Sequence, residues 1–402
     1  MIHLETPKKF KPLVRQAQQV AQEIFRPNSR HYDRAEHEQP EELDLLAALL
    51  DGLNAAGGTS GAGAAGVRRD ESGDAGNRNG ANLSTVLGVM ELCWGDVGLL
   101  LAMPRQGLGN SAIASVATPE QLERFAGRWA AMAITEPHCG SDSAAIRTTA
   151  TLEGDHYVLN GEKIYVTSGE RADLVVVWAT LDKSVGRAAI KSFVVEKGTP
   201  GFELVRLEHK LGIKASDTAA FMLKDVRVPK ENLLGTPDID VAKGFAGVMQ
   251  TFDNTRPLVA GMAVGLMRAC LDETRQRLLD AGIVIDYAML PARMPAAVAQ
   301  FIALEADYEA ARLLTLQAAW MADNRKPNSL EASIAKAKAG RGAVDVALGC
   351  IALLGGVGYS EHSLLEKWAR DAKILDIFEG TQQIQLLIIA RRLLGKSSAE
   401  LK

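Results

Sequence analysis

Nowhere in the 402 residues does an uncharged apolar run reach the roughly 18 residues that a membrane-spanning helix needs. The opening MIHLETPKKF is polar and charged, and no apolar stretch follows it, so no signal peptide is expected. Cysteine is scarce: Cys93, Cys139, Cys270 and Cys350 lie far apart, with no CxxC among them. That excludes a dense disulfide framework and makes a reducing cytoplasm the simplest location. Neither sign of charge dominates, with 45 Lys and Arg against 49 Asp and Glu and a formal net charge of −4. A broad electrostatic footprint for nucleic acid or an anionic membrane is therefore excluded, and neither is expected as a partner. HExxH, Walker A, GxSxG and zinc-type Cys/His clusters are also missing, so no metal is expected. The seven histidines are dispersed and read as solvated or structurally satisfied imidazoles.

What is present is an ordinary globular composition, 47% hydrophobic and 23% charged, long enough for two or three packed units. Val14, Ala17, Ala21 and Ile24 recur at helical spacing over 10–25, and Glu41 to Leu53 reads as a second helix. Residues 52–80 hold nine glycines and no aliphatic cluster, which predicts a flexible surface insert. Within it GAGAAG at 61–66 matches GxGxxG. It lacks the preceding strand and following helix that a dinucleotide site requires, and is set aside. Helical patterns return at 83–101 and 119–128, the latter with Thr118 as cap, Pro119 in the first turn and Gln121 at the third position. From 131 the period turns towards two. His156–Gly161 and Lys163–Thr167 read as two strands joined near an Asn-Gly turn, with further strands at 174–178, 192–195 and 219–228. After Pro229 helices are expected at 241–281, 292–323, 328–354 and 361–394. Helices, then strands, then helices predict an α+β chain: a helical domain over 1–130, a β domain over 131–235 and a helical domain over 236–402.

Two segments carry candidate chemistry. In Ala131–Ser143 (AMAITEPHCGSDS) an apolar run meets a tight polar turn, and Thr135, Ser141 and the amides near Gly140 can hydrogen-bond a ring edge or a phosphate. Taken alone, an ordinary strand-to-loop turn is the better reading. In Lys373–Gln385 (KILDIFEGTQQIQ), Glu379 follows an apolar stretch and Thr381 can cap a helix starting at Gln382. An acid in apolar surroundings has its charged form disfavoured, which moves its pKa towards the range useful for proton abstraction. A glutamate that merely favours the helix dipole is the alternative, and the segment leaves both open.

Together these segments resemble the acyl-CoA dehydrogenase family. TEPHCGSD is similar to that family's TEPGAGSD loop, Asn160–Gly169 to its NGxKxWITN strand, and Lys210–Ser216 with Phe221–Gly235 to the end of its β domain. Phe252–Pro257 is similar to the start of its third domain, and Arg370–Gln383 to its catalytic segment. The resemblance implies an N-terminal α-helical domain, a central β-barrel-like, antiparallel β domain and a C-terminal four-helix bundle. It implies FAD as cofactor and an acyl-CoA thioester as substrate, oxidised to the trans-2-enoyl-CoA. A glutamate at the position of Glu379 takes the α-proton while hydride passes from Cβ to flavin N5, and an electron-transfer flavoprotein receives the electrons. Ile134 and Thr135 match residues at the flavin's pyrimidine edge, Thr167 one near N5, and Tyr165 stands for the usual Trp over the ring. Ser141 matches a position beside the phosphates of CoA or flavin, Arg256 and Gly380 shape the substrate site, and Thr381 and Gln383 match contacts to the ADP part. In some relatives the base sits on the helix that here carries Thr255. An acyl-CoA oxidase, or a non-catalytic subunit of a mixed assembly, remains the alternative.

The departures from the family pattern concern what one subunit lends to another. The family's RxxFGxxL segment lends an Arg and a Phe to the neighbour's FAD. Here Leu278–Met289 has neither, and Ala352 stands where a Gln is expected. An unlike second chain in an α2β2 assembly is therefore expected, the alternative being a homotetramer in which Arg275 or Arg277 substitutes.

Overall fold

The computed structural model describes residues 6–55, 79–104, 108–239, 246–397 and 400. The N-terminal part is helical. Helix α1 (Lys11–Val20) runs through one π turn, Ala21–Phe25, into α2 (Arg26–Arg34). Pro27 has no N–H to continue the ladder, and the wider turn sits immediately before it. Helix α3 (Glu41–Ala55) has Glu41, Glu42 and Asp44 in its first turn, which favours the positive end of its dipole. It extends two residues beyond the expected Leu53, into the segment taken from the sequence as a loop. GAGAAG at 61–66 lies outside the described residues. Gly80, at the other end, donates its N–H to Asp323 at 2.7 Å.

The expected single helix over 83–101 is two, α4 (Ala81–Gly95) and α5 (Val97–Ala102). Asp96 between them is extended, and its carboxylate accepts from the Leu99 amide to cap α5. After α6 (Leu108–Val116), α7 (Pro119–Arg124) starts with the capping box expected of Thr118 and Gln121.

Seven strands follow: β1 (Ala130–Ala133), β2 (Thr149–Glu153), β3 (His156–Thr167), β4 (Leu174–Thr180), β5 (Ile190–Glu196), β6 (Phe202–Leu207) and β7 (Thr218–Pro229). One curled sheet has the order β1-β4-β2-β3-β7-β6, with β5 also on β4. The antiparallel expectation holds for most pairs but not all. β1 lies parallel to β4, Ala130 opposite Leu174, because β2 and β3 intervene in sequence as the crossover. Asn160-Gly161 is no hairpin turn either: β3 runs straight through it with a bulge. Gly161 is there for close approach, since a Cβ would come within 2.4 Å of the Thr148 hydroxyl. Asn160 instead exchanges two hydrogen bonds with Asp225 on β7, at 3.0 and 2.9 Å. The tight turn lies at Gly154-Asp155, where Glu153 pairs with His156.

The C-terminal part contains α8 (Ala246–Asp280), α9 (Ala296–Asp323), α10 (Ser329–Leu354), the short α11 (Gly356–Tyr359), α12 (Leu365–Leu375) and α13 (Gln382–Leu394). Ala332, Ala335, Ala339, Ala343 and Ala347 are fully buried along one face of α10 and let its neighbours approach closely. One apolar core joins α4 and α5 to this bundle, and a second fills the curl of the sheet. The expected helix over 361–394 is divided at Asp376–Thr381, the segment that matters most below. Among the described residues no helix is long and apolar enough to cross a membrane, and all four cysteines are free and buried.

Candidate active site

Helix α12 closes with the Phe378 amide bonded to the Ile374 carbonyl at 3.0 Å. The chain then turns through two left-handed residues, Glu379 at φ 55° and Gly380 at φ 92°. A glutamate in that region is strained, and such strain persists only where surrounding contacts impose it. Here they do. The Gln382 amide donates to the Asp376 carbonyl at 3.1 Å, and Thr381 caps α13 by accepting from the Ile384 amide. Gln385, fully buried on the first turn of α13, donates from Nε2 to the carbonyls of Glu379 and Gly380 at 3.2 and 3.1 Å. Lys336 of α10, also fully buried, donates from Nζ to the Gly380 carbonyl at 2.7 Å.

The Glu379 carboxylate accepts from the Thr255 hydroxyl of α8 at 2.8 Å. Burial raises its pKa above the usual carboxylate value, while the Thr255 bond and then the charges of Lys336 and Arg256 pull it back. Arg256 is buried on α8 beside Thr255. Burial lowers the Lys336 ammonium to about 8, opposed by Asp376 and Glu379. Asp376 is itself paired with Arg341 and Lys373 at 3.2 and 3.1 Å.

A second group of candidate residues lies on the sheet. After β1 the chain folds into a tight turn in which Glu136 and Cys139 exchange backbone hydrogen bonds at 3.0 and 3.1 Å. The Thr135 carbonyl accepts from the Ile164 amide of β3 at 2.9 Å, which sets Ile134 and Thr135 against the stretch of β3 that carries Tyr165, with Thr167 further along the same strand. Lys163, with no exposed surface, locks this junction by donating to the Ile134 carbonyl at 3.0 Å and to Glu136 at 2.8 Å. Tyr165 stands in the left-handed region at φ 59° with 62% of its surface exposed, so its ring is open to a ligand. Ser141 is exposed on the loop that follows.

The two groups are tied through the β6–β7 loop. The Ser168 amide donates to the Asp217 carbonyl at 3.1 Å, and the Ile213 amide donates to Asp371 on α12. Sequence reading did not single out Lys336, Gln385, Lys163 or Glu136 as site residues. Lys336 carries a faint signal: it is a lysine on a buried face otherwise made of small residues, among them Ala332, Ser333, Ala339 and Gly340. The histidines are also less dispersed than the sequence suggested. His37 and His209 come within 5.0 Å of each other, and Glu36 contacts the His209 ring at 3.0 Å.

An open aromatic face next to the Thr135–Ile164 junction, with the Thr167 hydroxyl further along the same strand, offers a stacking surface and a polar group of the kind that a flavin ring requires. Gln382 Oε1, buried without a protein partner, and the exposed Gln383 add amide groups at the start of α13. The near side of the site therefore fits the FAD expected from the sequence. Of the residues expected to serve a neighbouring subunit, Arg275 is bonded to Glu305 and Tyr287, and Arg277 to Glu273 at 2.9 Å, while Ala352 is exposed.

Family models for the middle and C-terminal domains of acyl-CoA dehydrogenase match residues 131–226 and 242–394. The short-chain specific acyl-CoA dehydrogenase of Clostridium acetobutylicum is 35% identical over 333 residues, covering 79% of this chain and 84% of that enzyme. The structure of butyryl-CoA dehydrogenase from Megasphaera elsdenii matches with a TM-score of 0.82 at 30% identity, over 98% of this chain and 100% of that one. A chain solved in work on the electron transferring flavoprotein of Acidaminococcus fermentans matches with the same TM-score, identity and coverage.

Proposed function

The chain belongs to the acyl-CoA dehydrogenase family, whose members are FAD flavoproteins, and from that premise we propose that it desaturates an acyl-CoA thioester with Glu379 as the base. Glu379 takes the proton from Cα, its basicity kept by burial and its carboxylate aimed by Thr255. The Glu379 amide donates to the thioester carbonyl and stabilises the negative charge that develops there. Bound FAD would supply the acceptor for the hydride that leaves Cβ, and the product would be the trans-2-enoyl thioester. Ile134, Thr135 and Thr167 would hold the edge of the cofactor ring and Tyr165 would cover its face. Thr381 and Gln383 would hold its ADP part, and Ser141 would serve the phosphates. Arg256 and Gly380 shape the substrate site. An electron-transfer flavoprotein is the electron acceptor, a reading supported by the likeness to the Acidaminococcus chain.

The observation that carries this reading is the glutamate itself. A carboxylate in a strained turn, beside two buried cations and with its pKa raised, has no packing purpose. Replacing Glu379 with Gln preserves shape and hydrogen bonding. Flavin and acyl-CoA binding should survive, while flavin bleaching by saturated acyl-CoA thioesters, from butyryl-CoA to palmitoyl-CoA, falls by about 10²–10⁴-fold. Bleaching at the wild-type rate would overturn the assignment.

We also propose that the working enzyme pairs this chain with an unlike family member. Both arginines that could replace the missing clamp already serve ion pairs within their own subunit.

A further inference from the structure

We propose that Lys336 and Gln385 are positioning residues of the Glu379 turn: they hold its two carbonyls so that the Glu379 amide and carboxylate face one substrate, and Lys336 supplies the charge that keeps the base ionised. The proposal rests on the reading of Glu379 as the base.

Two left-handed residues in succession leave their carbonyls with no backbone partner in either flanking helix. Both carbonyls are instead taken by buried side-chain donors, from α10 on one side and α13 on the other. Gln385 sits so close that a Cβ on Gly380 would meet its Nε2 at 2.5 Å, so glycine and glutamine fit as a unit. A neutral donor could satisfy the Gly380 carbonyl as well as lysine does. Burying an ammonium costs far more than burying an amide, which points to the charge as the reason for lysine. Its ammonium lies near Glu379, and the other groups facing that carboxylate are Thr255 and Arg256 on α8. Asp376 draws on the same cation, but it is also neutralised by Arg341 of α10 and Lys373 of α12. Lys336 and Arg256 are thus the two cations acting on the base. Lys336, about 8, is the one that can lose its charge near physiological pH.

The test uses the flavin-loaded enzyme and reads Glu379 directly. The pH titration of its carboxyl infrared band, identified by its loss in Glu379→Gln, is compared in wild type, Lys336→Met, Lys336→Arg and Gln385→Leu. Lys336→Met should move the titration up by about one pH unit, as loss of a neighbouring charge does. Flavin reduction by the best thioester of the panel should fall about tenfold or more below neutral pH and recover as pH rises. Lys336→Arg should restore the wild-type titration. Gln385→Leu should slow flavin reduction at every pH without moving the titration, because it loosens the turn and leaves the charge. Should Lys336→Met fail to fold, Lys336→Gln, which keeps a donor without the charge, carries the same comparison. A titration unchanged in the Met or Gln variant would overturn the role of the cation, and an unchanged rate in Gln385→Leu would overturn the clamp. If instead wild type itself is not bleached by any thioester, the reading of Glu379 as base fails, while the infrared titration still reports on the lysine.

Discussion

Glu379 carries two costs that a structural glutamate avoids. A non-glycine residue at positive φ is worth about 1–3 kcal/mol of strain. A carboxylate whose pKa is raised by burial is also destabilising once ionised. Its sign is opposite to that of a salt-bridged acid. Between the unfolded value and the raised native one, the folded state binds more protons than the unfolded state, so stability falls as pH rises through that window and stays lower above it. Glu379→Gln cannot ionise and escapes the cost. Its urea midpoint should exceed wild type at about pH 8, and the gap should close as the pH falls to about 4. A gap that widened on acidification would contradict the direction of the shift. The variant that loses activity should thus be the more stable one, as expected where a site stores strain for function.

At the scale of elements, the Glu379 turn is only as well placed as α12, and α12 is anchored by a buried charge cluster. Lys367 lies between Asp371, one turn on at 2.7 Å, and Asp96, which also caps α5. The lysine ammonium is raised well above its usual range by the two carboxylates, against the effect of burial. One aspartate thereby starts a helix of the N-terminal part and fixes a helix of the C-terminal part. Asp96→Ala removes the cap and one partner of a fully buried cation, and should cost about 3–5 kcal/mol in urea denaturation. Asp96→Asn keeps a capping oxygen and should recover about 1 kcal/mol of that loss. Arg370 works in parallel from the surface of α12, gripping Asp33 at the end of α2 with two bonds of 2.9 and 2.6 Å.

For the whole molecule, the question is what completes the cofactor site. This chain offers an exposed ring, hydroxyls and amides on the near side, but among the described residues the segment expected to lend an arginine, Leu278–Met289, has none. Arg275 and Arg277 could turn outward only by giving up their pairs with Glu305 and Glu273. Each missing charge-assisted bond to a pyrophosphate forfeits about 1.5–3 kcal/mol. Expressed alone, the chain should therefore purify with flavin well below one per protomer. Co-expression with a family member that retains the RxxFG segment should give one flavin per pair of unlike chains. Full occupancy in an active homotetramer, measured by flavin absorbance against protein, would refute the mixed assembly.

Much of this was legible in the sequence, and for local reasons. Capping at Thr118 and Thr381, the short apolar strand segments of β4, β5 and β7, and the long C-terminal helices follow from neighbours a few residues apart. Family likeness singled out Glu379 because its motif is contiguous. Where local rules misled, a distant partner was responsible. Asn160-Gly161 has turn composition, yet Thr148 needs the missing Cβ and Asp225 needs the amide, so the strand continues. The 83–101 run looks like one helix, yet Asp96 leaves it to meet Lys367. The support of Glu379 was invisible for the same reason. Lys336 and Gln385 stand 44 and 5 residues from Gly380, and a lysine among alanines does not reveal which carbonyl it serves. Sequence determines which backbone segments are regular and which carboxylate resembles a base. Only the packing of α8, α10 and α13 around one turn decides how that carboxylate is held, because burial and charge act through space and not along the chain.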